Sequence, residues 1–188
     1  STAKIILSVG RHHPKKNYLI IPSIIKYLLE NGNDVYWIVI GDRVKSIAHE
    51  IAEDDLNKHL ILIDELNTNN NNKIKLPNDE LLSYYKQSDI FAMTSMLETF
   101  GIVIIEAMAA GLPIICFNVP GIVDVMSDKC GYICPAGDVD MYKTKLLELL
   151  RSENIEFSKE SVNISANYSW ERVSKMYLNV YSNITNKG

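Results

Sequence analysis

Residues 89–117 read Asp89-Ile-Phe-Ala-Met93-Thr-Ser-Met-Leu-Glu98-Thr-Phe-Gly-Ile-Val-Ile-Ile-Glu106-Ala-Met-Ala-Ala-Gly111-Leu-Pro113-Ile-Ile-Cys-Phe117. The apolar run Asp89–Met93 predicts a buried strand. Ile102 to Ala110 predicts a helix, stopped by Gly111 and Pro113. Pro113–Phe117 predicts a further strand. A strand, a helix and a strand in direct succession dictate parallel pairing through a right-handed crossover.

The same alternation extends in both directions. Lys4–Val9 is a short β-branched run closed by Gly10, and the pattern from Asn17 to Glu30 predicts a helix ended by Asn31-Gly32-Asn33. Val35–Ile40 and His59–Ile63 predict two more strands, with a helix around Val44 to Asp54 between them. Pro77-Asn78-Asp79-Glu80 opens a helix through about Lys86. Beyond Phe117 the pattern predicts a short helix after Gly121, a strand at Gly131–Cys134, and helices over Asp138–Leu150 and Ser169–Tyr181. The fold class is therefore α/β: a doubly wound, mainly parallel sheet of about six strands with helices on both faces. Ligands in such sheets bind at the carboxyl ends of the strands, so the loops after Val9, Ile40, Ile63, Met93 and Phe117 are where chemistry is expected.

Composition narrows the function classes. The 188 residues form one large domain with no internal repeat and no linker, 47% hydrophobic and 22% charged. A net charge of −4 argues against a nucleic-acid partner. No apolar run approaches the roughly 20 residues that span a bilayer. The start Ser1-Thr-Ala-Lys4 lacks both an initiator Met and a signal-peptide pattern, which reads as a chain cut from something longer. Cys116, Cys130 and Cys134 have neither the number nor the spacing of a zinc site, and read as reduced, unreactive thiols of a cytosolic protein. The Asn run at 67–73 reads as a solvated insertion.

Two strand-end loops carry opposite charges. Glu98 and Glu106 flank seven residues, and Phe100-Gly101 opens the helix bearing the second carboxylate. Helix geometry places Glu106 about one turn in, among Ile102, Ile104, Ile105 and Met108, where a bare carboxylate needs hydrogen-bond partners. Ribose hydroxyls would serve. The unpaired amides of Gly101, Ile102 and Val103 suit a phosphate, and Gly101 lets a ligand approach the backbone. On the loop after the first strand, Gly10 and Arg11 are followed by Lys16 at the start of the helix, a fork and a point charge fit for a diphosphate. His12 and His13 read as polar loop residues. Phe100 reads as packing beneath its loop, and Trp170 and Tyr181 as packing residues of the last helix.

Taken together, Gly10-Arg11 with Lys16, Glu98-Thr-Phe-Gly-Ile-Val-Ile-Ile-Glu106, Tyr85–Ser95, Gly131–Asp138 and Tyr168-Ser-Trp-Glu171 resemble the retaining glycosyltransferases of the E-x7-E type (glycosyl transferases group 1, family 4). These are GT-B enzymes of two facing Rossmann-like domains, and residues 1–188 resemble the C-terminal, donor-binding one, with the N-terminal acceptor domain absent.

The resemblance implies transfer of a hexose from a nucleotide diphosphate sugar to an acceptor with anomeric configuration retained. No cofactor or metal is expected beyond the donor. Arg11 and Lys16 would hold the diphosphate beside Gly10, and Glu106 would accept the ribose hydroxyls. Glu98 would contact the transferred sugar, with Phe100, Gly101, Ile102 and Val103 offering backbone amides. Ile63 and Asp64 would flank the base. Glu98, Arg11 and Lys16 are the expected catalytic residues. The acceptor, a sugar, lipid or polysaccharide, would be held by the missing domain, in the cytoplasm or at the inner membrane face.

The sequence departs from the family pattern at Gly41-Asp42-Arg43-Val44 and at Pro120-Gly121-Ile-Val-Asp124, where a shorter acid replaces the usual Glu. Two other readings are a nucleotide- or sugar-binding module without catalysis and a nucleotide-sugar epimerase.

Overall fold

A computed structural model describes residues 3–50, 58–64 and 77–185. Six strands, β1 (Lys4–Val9), β2 (Val35–Ile40), β3 (Leu60–Ile63), β4 (Ile90–Met93), β5 (Ile114–Phe117) and β6 (Gly131–Cys134), form one sheet in the order β3-β2-β1-β4-β5-β6. Every pairing is parallel. Chain order reverses between β1 and β4, which makes the crevice above that pair the topological switch point.

The helices are α1 (Ile21–Glu30), α2 (Asp79–Gln87), α3 (Ile102–Ala109), α4 (Val139–Arg151), α5 (Ile155–Ser165) and α6 (Trp170–Thr185). They cover both faces: α1 packs beside α4, and α3 beside α5. The all-buried strands β4 and β5 follow from this two-sided cover.

Inside the core, polar groups are paired. The Trp37 indole donates to Ser8 Oγ at 2.9 Å, and Ser8 in turn donates to the Ala92 carbonyl at 2.6 Å, tying β2, β1 and β4 together. At the opposite ends of these strands from the crevice, Asp89 bridges the same pair. Its carboxylate accepts from the Lys4 ammonium at 2.7 Å and the Ile5 amide at 2.8 Å.

Several local expectations are corrected. The helix expected from Asn17 begins only at Ile21, after 3-10 turns at Pro14–Lys16 and Tyr18–Ile20. Asn17 sits at φ 55°, in the left-handed region, and breaks the path between the two turns. Lys16 therefore closes a 3-10 turn instead of starting a helix. The segment from Val44 is a 3-10 helix to His49, capped from outside by Asp64, and its expected continuation to Asp54 lies outside the described residues, as does the Asn run.

After Gly121 the chain makes successive turns, not a helix. Helix α5 was not expected. Its Ile-Glu-Phe-Ser-Lys-Glu-Ser-Val-Asn-Ile-Ser sequence is poor in strong helix formers, and the buried Ser161, donating to the Leu112 carbonyl at 2.9 Å, anchors it. Trp170 and Tyr181 do not pack inward: they are 87% and 61% exposed on α6. The three cysteines are free and buried, and burial raises the Cys134 thiol to about 11.

Candidate functional site at the β1–β4 crevice

The loop after β1 is folded tightly against that after β2. The Gly10 amide donates to the Ile40 carbonyl at 2.8 Å and the His12 amide to the Asp42 carbonyl at 2.7 Å. A Cβ at Gly41 would lie 2.2 Å from the Gly10 carbonyl oxygen, so only glycine permits this approach. Tyr18, buried beneath, donates its hydroxyl to the Gly10 carbonyl at 3.0 Å. Its ionisation is pushed well up by burial and by nearby Glu98. His13 caps the Pro14–Lys16 turn, accepting the Lys15 amide on Nδ1 at 3.2 Å. His12 lies 3.7 Å from Glu50 through Nε2.

The loop after β4 is braced onto the first. Thr94 Oγ1 donates to the Lys16 carbonyl at 2.7 Å, and the Met96 amide donates to the Lys15 carbonyl at 2.8 Å. These bonds bring the Lys16 ammonium into direct contact with Glu98 Oε1, which also accepts from Ser95 Oγ at 3.1 Å. Both members of the ion pair are largely buried, with 12% and 11% of their side chains exposed. Lys16 and Glu98, from two different loops, thus meet in one ion pair. Removing one member would leave a largely buried charge uncompensated.

Glu98 is also backed by the turn after β5. Gly121, at φ 81°, lies so close that a Cβ would be 2.5 Å from the Glu98 carbonyl oxygen. Asp124 accepts the Gly121 amide at 3.2 Å and so shapes its own turn. Phe100 is not packed beneath the loop. It is 47% exposed and sets its edge against Tyr168, with ring centroids 6.1 Å apart. Met96, Leu97, Phe100 and Ile102, on the same loop and the first turn of α3, are exposed apolar side chains.

Gly101, at φ 69°, is the N-cap of α3, and no side chain caps the helix. Among the described residues no acceptor is present for the amides of Gly101, Ile102 and Val103. They form an open cluster of donors one turn from Glu98.

Glu106 has a protein partner that the sequence reading missed. The fully buried Tyr85 of α2 donates its hydroxyl to Glu106 Oε2 at 2.8 Å. Burial raises the Glu106 carboxyl above its ordinary range, and the Tyr85 hydrogen bond opposes that rise. Tyr85 is itself pushed far up by burial and by the neighbouring carboxylate.

Arg11 is exposed, and among the described residues its guanidinium makes no hydrogen bond or ion pair. Ile63 and Asp64 stand apart from the crevice, at the end of the edge strand β3. The Ile63 carbonyl accepts the Gly41 amide at 2.9 Å, and Asp64 caps the Lys45 amide at 2.7 Å. The site thus joins Gly10, Lys16 and Glu98 directly, keeps Glu106 on the adjoining helix, and leaves Ile63 and Asp64 on a different strand.

A six-stranded parallel sheet with a charged crest at its switch point defines a Rossmann-like domain. The family model described as glycosyl transferases group 1 matches residues 1–168, and the chain belongs to that family. It is 26% identical over 186 residues to the phosphatidylinositol N-acetylglucosaminyltransferase GPI3 subunit of Saccharomyces cerevisiae, covering 96% of this chain and 39% of the relative. It is 25% identical to the D-inositol 3-phosphate glycosyltransferase of Corynebacterium efficiens, covering 97% and 43%. The chain therefore spans less than half the length of these relatives.

The same fold occurs in the sucrose-phosphate synthase of Thermosynechococcus elongatus, with a TM-score of 0.79 at 19% identity, covering 98% of this chain and 46% of that one. It occurs also in the pneumococcal O-GlcNAc transferase GtfA solved with UDP and GlcNAc, with a TM-score of 0.76 at 16% identity, covering 96% and 36%. No described helix is long and apolar enough to cross a membrane.

Proposed function

We propose that residues 1–188 are the donor-binding domain of a retaining GT-B glycosyltransferase, holding a nucleotide diphosphate sugar at the β1–β4 crevice. The observation that carries this reading is the largely buried Lys16–Glu98 pair, which lies one turn from the α3 amides that have no acceptor among the described residues. A transferred sugar needs an acceptor for its hydroxyls, and its leaving diphosphate needs positive groups; both stand side by side there. Family membership and the UDP complex of the structural neighbour GtfA support the donor class.

The strand order gives the donor a direction. Base, diphosphate and sugar would run from Ile63 and Asp64, past Gly10, Arg11 and Lys16, to Glu98. Three strand spacings separate β3 from β4, about 14 Å, a span suited to a nucleotide diphosphate. Glu106 would accept the ribose hydroxyls. Phe100, Gly101, Ile102 and Val103 would offer backbone amides to phosphate or sugar oxygens.

As the glycosidic bond breaks, negative charge grows on the departing diphosphate. The α3 amides are fixed in place beforehand, and Arg11 and Lys16 would turn toward the leaving group, so positive groups meet the growing charge. Lys16 leaves part of its interaction with Glu98 to meet the growing charge, while Glu98 turns to the sugar hydroxyls. Acceptor contacts would belong to a facing domain, where a sugar, lipid or polysaccharide would dock, in the cytoplasm or at the inner membrane face.

The test is turnover and product stereochemistry in the full-length protein. A nucleotide hexose should yield product with the donor's anomeric configuration, and Arg11→Ala should slow it sharply. Inverted product would refute retention. Epimerised nucleotide sugar without transfer would favour an epimerase.

A further inference from the structure

We propose that Tyr85 is a positioning residue of this site, holding one oxygen of Glu106 so that the other is presented to the ribose of a bound nucleotide. The inference rests on the reading of Glu106 as the ribose acceptor. It concerns a residue on α2, twenty-one positions away in sequence, that touches no ligand in that reading.

The geometry is asymmetric between the two carboxylate oxygens. Oε2 is taken by the Tyr85 hydroxyl at 2.8 Å. Oε1 accepts no hydrogen bond among the described residues, yet it is not sealed from solvent. The same hydroxyl lies 3.4 Å from the Val103 carbonyl, so it touches the first turn of α3 as well as the second. Tyr85 is 0% exposed, with its ring tilted against Phe91 of β4 at 6.0 Å between centroids. A side chain so enclosed has one rotamer, and it imposes one on Glu106.

A long carboxylate on a helix surface otherwise loses rotamer freedom when it binds. Holding it beforehand removes that loss. The hydroxyl also favours the charged form against burial, which would keep Glu106 an acceptor at neutral pH. A purely structural tyrosine would be served as well by phenylalanine; a hydroxyl aimed at the carboxylate is what distinguishes the two roles.

The experiment compares wild type, Tyr85→Phe and Glu106→Gln by calorimetry. The probes are whichever of UDP, GDP and ADP binds wild type tightest, and its 2′,3′-dideoxy counterpart, across pH 5 to 8. Tyr85→Phe keeps the ring and should fold as wild type does, which a denaturant melt verifies. It should weaken the ribonucleotide on the order of tenfold, in keeping with loss of a hydrogen bond to a charged group, and leave the dideoxy form unchanged. Its affinity should also begin to fall at a higher pH than wild type's as the solution is acidified.

Equal weakening of both nucleotides, or unchanged discrimination, would overturn the role of Tyr85 alone. No nucleotide binding by wild type, or no preference for the ribonucleotide, would overturn the donor-site reading and this inference with it.

Discussion

Glu98 and Glu106 are the same residue type at the two ends of one short stretch, and their surroundings differ in kind. Glu98 faces a full charge, the Lys16 ammonium, on another loop. Glu106 faces a neutral hydroxyl from a buried tyrosine, and its carboxyl is raised by burial. A cation beside a carboxylate can be shared with an incoming anion, because both partners are charged and movable. A hydroxyl from a fixed ring has no such alternative, and it orients the carboxylate instead. The first arrangement suits a place where charge changes during reaction; the second suits one where a neutral part of a ligand is recognised.

The largest way to break this contrast is to remove the cation. If the proposed transfer holds, Lys16→Ala in the full-length protein should cost roughly 100- to 1,000-fold in turnover, about 2.7–4 kcal/mol. It should leave any preference for ribose intact, since Glu106 is untouched. A loss of both together would mean that the two carboxylates do not act separately.

Next in size is Gly121→Ala. The left-handed backbone and the 2.5 Å approach to the Glu98 carbonyl leave no room for a methyl group, so a denaturant melt should show a loss on the order of 1–3 kcal/mol. The change displaces the Glu98 loop and not α2, and donor affinity should fall without a shift in the pH at which it falls.

The smallest effect concerns Glu106 itself and has a definite sign. Its folded value is raised, so the native state holds the proton more tightly than the unfolded chain does. The ionised carboxylate therefore costs stability that sets in as pH climbs from the unfolded value of about 4.3 and is complete above the folded one. Urea melts from pH 4 to pH 8 should show Glu106→Gln gaining on wild type across that window. A constant difference would show that burial does not govern this carboxylate.

Much of this was legible in the sequence. Apolar runs punctuated by Gly10, Gly41 and Gly111 marked the strands and turns, and the rule that ligands gather at strand ends picked out Lys16 and Glu98 from different loops. Glu106 was read as a carboxylate in need of partners. Its actual partner was hidden, because Tyr85 lies on another helix, twenty-one residues away, and only the folded chain brings its hydroxyl to the carboxylate. Tyr18 was hidden because only the fold of its 3-10 turn brings its hydroxyl back onto the Gly10 carbonyl.

Helix α5 escaped because its stability comes from Ser161 and the neighbouring α3, not from its own propensity. The pattern of α6 was read correctly as helical but wrongly as packed. Periodicity shows that a helix has an apolar face, not that anything covers it. Met176, Leu178 and Ile184 stand 60%, 63% and 66% exposed there.

Calorimetric titration of the 188-residue chain with UDP, GDP and ADP, beside Lys16→Ala, puts the donor site to its most direct test. One nucleoside diphosphate should bind with one-to-one stoichiometry and markedly more weakly to the variant. At 100 times its dissociation constant it should stabilise the fold by about 2.7 kcal/mol. Failure of all three to bind, or binding indifferent to the loss of Lys16, would contradict a donor site at the β1–β4 crevice.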